Sequence, residues 1–164
     1  MLFSSKSSEW ETPDDLFAML DKEWNFTLDP ASTHENRKCE KYFTKEENGL
    51  IQSWAGERVF CNPPYGRELP KWLKKCADES VHADIVLLIP SRTDTKAMHE
   101  YCFNVAKAIC FVKGRLKFNN RLLPSYRKDG QHKVSSAPFP SLIAVYSKEI
   151  TEGQYALLSS LGFT

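Results

Sequence analysis

Apolar residues fall in two rhythms along the chain. Phe26–Leu28, Val59–Cys61, Ile85–Ile89, Ile109–Val112 and Leu142–Tyr146 are short dense runs, which predict strands. Val59–Cys61, Ile85–Ile89 and Leu142–Tyr146 show little polar alternation, the pattern of a strand covered on both faces. Between the runs the spacing turns helical. Leu16, Phe17, Leu20 and Trp24 share one face, and Thr12-Pro13-Asp14-Asp15 reads as the start of their helix, with Thr12 as cap and Pro13 in the first turn. Pro70 opens a second helix carrying Trp72, Leu73, Cys76 and Ala77. Thr93-Asp94-Thr95 caps a third with Ala97, Met98, Tyr101, Cys102 and Val105, and a last helix starts near Thr151 and uses Tyr155, Leu157 and Leu158.

Strands alternating with helices predict an α/β fold, a doubly wound and mostly parallel sheet with helices on both faces. A chain of 164 residues fits one domain, spanning 1–164. In such sheets ligands bind at the carboxyl ends of the strands. Three polar, proline-bearing tetrads follow predicted strands: Asp29-Pro30-Ala31-Ser32, Asn62-Pro63-Pro64-Tyr65 and Pro90-Ser91-Arg92-Thr93. Together they predict one pocket on one rim. Residues 119–140 are poor in apolar positions and read as a long basic loop before the last strand, a length usually tied to function.

Composition narrows the class. Hydrophobic residues are 41% and charged residues 26%, which excludes a disordered chain, and no apolar run approaches the ~20 residues of a membrane span. The polar start, Met1 to Glu11, lacks the order of a signal peptide, which points to the cytoplasm. Cys39, Cys61, Cys76, Cys102 and Cys110 are dispersed, as are His34, His82, His99 and His132, so neither a disulfide framework nor a metal site is expected. The net charge of +1 conceals an asymmetry: residues 1–57 carry 6 Lys/Arg against 12 Asp/Glu, and residues 58–164 carry 16 against 9. Lys107, Lys113, Arg115, Lys117, Arg121, Arg127, Lys128 and Lys133 face a single acid, Asp129, between Tyr101 and Ser147. Such a stretch suits a polyanion, or a solvated surface.

Asn62-Pro63-Pro64-Tyr65 carries the chemistry. Two prolines directly after a strand stiffen the backbone and keep it out of ladder and helix alike. Asn62 offers an amide oxygen, and Pro63 a carbonyl followed by a residue without an N–H. Such a pair of acceptors can bind both hydrogens of an amine conjugated to an aromatic base and draw its nitrogen towards tetrahedral geometry. That frees the lone pair for attack, while Tyr65 can stack on the base. The contribution is positioning and preorganised polarity. Methylation of a cytosine ring carbon would need a thiolate, typically in a Pro-Cys pair, and the chain has no Pro-Cys.

The tetrad resembles the catalytic motif of S-adenosylmethionine-dependent amino methyltransferases. More of the chain is similar to one branch, the phage-type DNA N-6-adenine-methyltransferase family. The matching pieces are 9–13, 26–32, 42–44, 48–50, 59–66, 90–95, 114–118 and 136–141, in order across nearly the whole chain. The resemblance implies a compact Rossmann-like methyltransferase fold, S-adenosylmethionine as cofactor and DNA as partner. It implies that Asn62, Pro63 and Tyr65 form the target-amine site, with Pro64 fixing the turn. Asp29 would help hold the methionine ammonium, with Pro30, Ala31 and Ser32 in its loop where a Gly-rich turn is common. Trp10, Thr12 and Pro13, in a covering segment 1–13, would close over the cofactor. Glu40, Glu46 and Glu47 are candidates for its ribose.

An adenine amine within a duplex is out of reach of such a site, so the base must be extruded. Arg92, Lys113, Arg115, Lys117 and Arg121 are the residues expected to grip the nucleic-acid backbone, with residues 119–140 supplying what readout exists. The same chemistry on RNA or another amine, or a cofactor-binding relic that only binds DNA, remains as an alternative.

Overall fold

The computed structural model describes residues 10–118 and 136–164. Residues 1–9 of the covering segment, Arg121, and the basic loop up to residue 135 lie outside the described residues. Helix α1 (Asp14–Trp24) leads into β1 (Leu28–Asp29), β2 (Lys41–Tyr42) and β3 (Arg58–Cys61). Then come α2 (Leu69–Glu79), β4 (Asp84–Pro90) and α3 (Lys96–Met98), which continues as a π-helical turn over His99–Phe103. Strands β5 (Ala108–Val112) and β6 (Ser141–Tyr146), helix α4 (Glu152–Leu161) and β7 (Gly162–Phe163) complete the order.

All seven strands form one sheet in the order β2-β1-β3-β4-β6-β5-β7. The half from β2 to β4 is parallel, but β6 pairs antiparallel with both β4 and β5, and β7 antiparallel with β5. The sheet is therefore mixed, not mostly parallel. An adjacent antiparallel strand needs no crossover helix. Strand β6 returns alongside β5 and fills the place beside β4.

The contiguous apolar runs are buried as their pattern requires: Val59–Cys61, Ile85–Ile89 and Leu142–Tyr146 lie wholly inside. Successive β4 residues alternate between two cores. Ile85, Leu87 and Ile89 meet Trp72, Leu73 and Cys76 of α2 and Met98 of α3. Val86 and Leu88 meet Leu16 and Leu20 of α1 and Leu158 of α4. Thr95 caps α3 through its side chain, and Thr151 and Gln154 form a reciprocal capping box on α4. The start of α1 differs from expectation. Its cap is Pro13, with no side-chain hydrogen bond, so Thr12 does not cap this helix.

Strand direction places the site. The carboxyl ends of β1, β3 and β4 share one rim, and the register Pro90↔Ser141 brings the start of β6 to it. Phe111 pairs with Leu142, so β5 also ends there.

Candidate active site

Asn62-Pro63-Pro64-Tyr65 leaves the end of β3 at this rim. Asn62 is half-buried, and both hydrogens of its amide are spent on the N-terminal segment: Nδ2 donates to the Trp10 carbonyl at 2.5 Å and to Thr12 Oγ1 at 3.0 Å. On the other side the Tyr65 hydroxyl donates to Asn62 Oδ1 at 2.6 Å and lies 3.3 Å from the Leu88 carbonyl of β4. Thr12 is 3% exposed and Tyr65 8%. Burial holds the Tyr65 phenol well above its ordinary value, so the hydroxyl keeps its proton and stays a donor. Rings enclose this corner. Phe118 and Phe139 each meet both Trp10 and Tyr65 edge-on, with centroids between 5.3 and 6.4 Å apart. Cys61, next to the motif, is fully buried, and burial together with the Cys76 thiol raises its pKa, so it remains a thiol.

Asp29 ends β1, 4% exposed. Its oxygens accept from the backbone N–H groups of Ala31 at 3.3 Å and Lys38 at 2.9 Å. Burial outweighs these bonds and pushes the carboxyl up to about 6. Lys38 also carries its ammonium to Asp14 at 2.5 Å, tying the loop after β1 to helix α1. The Phe43 N–H donates to the Asp29 carbonyl and the Ser32 N–H to the Phe43 carbonyl, which joins the loops after β1 and β2. Pro30 is buried, with its carbonyl oxygen against Gly49: a Cβ at that glycine would sit 2.1 Å from it.

The ribose candidates gather in one place. Glu40, Glu46 and Glu47 line an open groove with His34, Lys41, Tyr42 and Thr44, beside β2 and not over Asn62. Glu47 is partly committed there, accepting from the Thr44 N–H and hydroxyl at 3.1 Å each.

A buried acid held by the backbone N–H groups of Ala31 and Lys38, with the Lys38 ammonium itself turned to Asp14, lies on the rim that holds the motif and fits a ligand ammonium. Ser141 Oγ, at the same rim and 1% exposed, has no hydrogen-bond partner among the described residues. The residues present thus fit an amino-acid-bearing cofactor such as S-adenosylmethionine. No group of three His, Cys, Asp or Glu residues suited to a metal occurs among the described residues.

The expected nucleic-acid residues reach the same rim, for Arg92 follows β4 and Lys113, Arg115 and Lys117 follow β5, all four exposed. Sequence reasoning gave no role to Phe118, Phe139 or Arg67. The phenylalanines are signalled only by their place in the matching pieces. Arg67, exposed beyond Gly66, is a basic residue directly after the motif.

A stiff proline-bearing bend and a buried acid thus lie together at the carboxyl ends of neighbouring parallel strands, the rim where α/β sheets bind ligands. Comparison with known proteins gives the family. Residues 2–161 match the model of the DNA N-6-adenine-methyltransferase (Dam) family, and the chain belongs to it. It is similar to the DNA N-6-adenine-methyltransferase of Haemophilus phage HP1, 28% identical over 68% of this chain and 66% of that protein. It also resembles the DNA N-6-adenine-methyltransferase of Escherichia phage T1, 33% identical over 61% of this chain and 43% of that one. A putative methyltransferase of Escherichia coli, YfdM, is 37% identical over 35% of this chain and 70% of its own. The aligned part thus spans just under two thirds of the HP1 protein and under half of the T1 protein.

Proposed function

We propose that this chain transfers a methyl group from S-adenosylmethionine to the exocyclic amine of adenine in DNA, on a nucleotide extruded from the helix. The family supports the reaction, and one observation carries the reading in the structure: the Asn62 amide is held with its nitrogen turned back to the N-terminal segment. Its oxygen takes the Tyr65 hydroxyl on one lone pair and keeps the other, with the Pro63 carbonyl, to accept the hydrogens of an amine. When bound, the cofactor supplies an electrophilic methyl group on a sulfonium sulfur. Asp29 holds its ammonium, and Trp10 with Pro13 covers it. Asn62 and Pro63 bind the amine and localise its lone pair for attack. No residue has to remove a proton first, because the amine turns acidic only once it is alkylated. Tyr65 and its neighbouring rings form the wall against which the base rests.

Arg92, Lys113, Arg115 and Lys117 grip the phosphates around the extruded nucleotide from the rim that carries Asn62. Incubation with labelled S-adenosylmethionine and DNA, followed by nuclease digestion and mass spectrometry, tests the reading. N6-methyladenine is the expected product. Label in cytosine, in RNA alone or in no nucleic acid would overturn it.

A further inference from the structure

Thr12 was expected to cap α1 or to cover the cofactor. Its hydroxyl does not cap α1, which starts from Pro13. Instead Oγ1 accepts a hydrogen from Asn62 Nδ2 at 3.0 Å, across fifty residues of sequence, while the Trp10 carbonyl takes the other. We propose that Thr12, with the Trp10 carbonyl, is a positioning residue that locks the Asn62 amide in its working orientation. This inference rests on the proposed amine chemistry of Asn62.

An amide can turn over about its last bond and exchange oxygen for nitrogen, and the two ends are similar in size. Here the Trp10 carbonyl, which can only accept, specifies the nitrogen end, and the Thr12 hydroxyl holds that end as its second acceptor. Turning the group over would set Asn62 Oδ1 against the Trp10 carbonyl oxygen, lone pair against lone pair. It would also cost the 2.6 Å bond from the Tyr65 hydroxyl to Oδ1, leaving that proton only the longer contact to the Leu88 carbonyl at 3.3 Å. Both acceptors on Nδ2 come from the N-terminal segment, with Thr12 3% exposed, so the lock is held in a site shielded from water. The Tyr65 hydroxyl engages one lone pair of Oδ1 and leaves the second for the substrate amine. The arrangement also favours asparagine over aspartate at this position. A carboxylate would offer an acceptor to the amine equally well, but its second oxygen would face the Trp10 carbonyl without a hydrogen between them.

Three variants of the full chain test the lock: T12V, which keeps the shape and removes the acceptor, T12S, which restores it, and N62D. Rates of adenine methylation in DNA are measured together with cofactor affinity by calorimetry, and thermal melting confirms folding. T12V is expected to lower kcat about tenfold, the worth of one orienting hydrogen bond, with KM for DNA and cofactor affinity unchanged. T12S recovers most of the loss, and N62D falls at least as far as T12V. A T12V enzyme with the wild-type kcat, or one whose defect lies only in cofactor affinity, overturns the inference. So does an N62D enzyme as active as the wild type.

A second readout stands apart from catalysis. In nuclear magnetic resonance spectra the Asn62 side-chain amide protons should exchange slowly with solvent in the wild type and faster in T12V; equal rates refute the lock. If the wild type fails to methylate adenine, the proposed function falls, and the exchange measurement still decides whether the lock exists.

Discussion

Asn62 shows how a side chain acquires a role from its surroundings. The residue type supplies an acceptor, but the three bonds to Trp10, Thr12 and Tyr65 give that acceptor a direction. Asn62→Ala is therefore expected to lower turnover by at least a hundredfold, the scale seen when one preorganised polar group is removed. Cofactor binding should survive, and calorimetry beside a turnover assay separates the two. Asp29 yields a prediction in pH. Burial raises its carboxyl from 3.8 to about 6 in the folded protein, so between those values the native state holds a proton that the unfolded chain has released. Ionising Asp29 thus opposes folding as pH rises through this window, by on the order of 3 kcal/mol in all. A bound ammonium reverses the balance, because only the ionised acid attracts it. S-adenosylmethionine affinity should weaken as pH falls below about 6, and Asp29→Asn should bind it weakly with that dependence removed; titration calorimetry at several pH values reads both. The bend after β3 and the place of Asp29 at the end of β1 were legible from residue type and order. The bond between Thr12 and Asn62 was not, since Thr-Pro-Asp-Asp satisfies a local helix-start rule and nothing local announces a partner fifty residues away.

Elements followed the apolar runs closely, because a run long enough to be buried on both faces admits few other conformations. Strand direction escaped, since a wholly buried run such as Leu142–Tyr146 reads the same parallel or antiparallel. Strands β2 and β7 have two residues each and are too short to carry any period. The segment after β2 shows what holds such a short strand in place. Trp54, fully buried, donates from Nε1 to the Gly49 carbonyl at 3.0 Å and from its backbone N–H to Glu79 of α2 at 3.1 Å. Glu79 in turn pairs with Lys75, whose ammonium lies 5.3 Å over the Trp54 ring. Helix α2 thus anchors Gly49 against Pro30, and through it the loop that carries Asp29. Gly49→Ala cannot be absorbed by rotating a side chain, because the added Cβ meets backbone oxygen at 2.1 Å. It is expected to cost about 1–3 kcal/mol of stability and to weaken S-adenosylmethionine binding, while leaving the acceptor bend intact. Chemical denaturation and calorimetry measure the two effects. Full stability in Gly49→Ala would show that the two loops are not rigidly joined.

Over the whole molecule the charge asymmetry acquires a geometry. The acidic part, residues 1–57, holds the first helix and the loops after β1 and β2, and the basic part supplies the ends of β4 and β5. Insertion of an antiparallel β6 brings the end of β5, and with it Lys113, Arg115 and Lys117, to the rim where Asn62 sits. This consequence of topology could not be read from the charges alone, which fit a solvated loop as well as a nucleic-acid grip. The two cases differ in their response to salt. Residues that contact phosphate displace condensed counterions, so each adds roughly 0.9 to the steepness with which log affinity falls against log salt. Replacing Lys113, Arg115 and Lys117 together by alanine should reduce that slope by roughly 2 to 3 for duplex DNA. The loss should be similar on unrelated sequences, because phosphate contacts position the duplex without reading it. All three side chains are exposed, so thermal stability should not change. Fluorescence anisotropy across a salt series gives the slope. An unaltered slope in the triple variant would leave these residues as ordinary surface charge and move the grip on DNA to Arg92, Arg67 or residues 119–135.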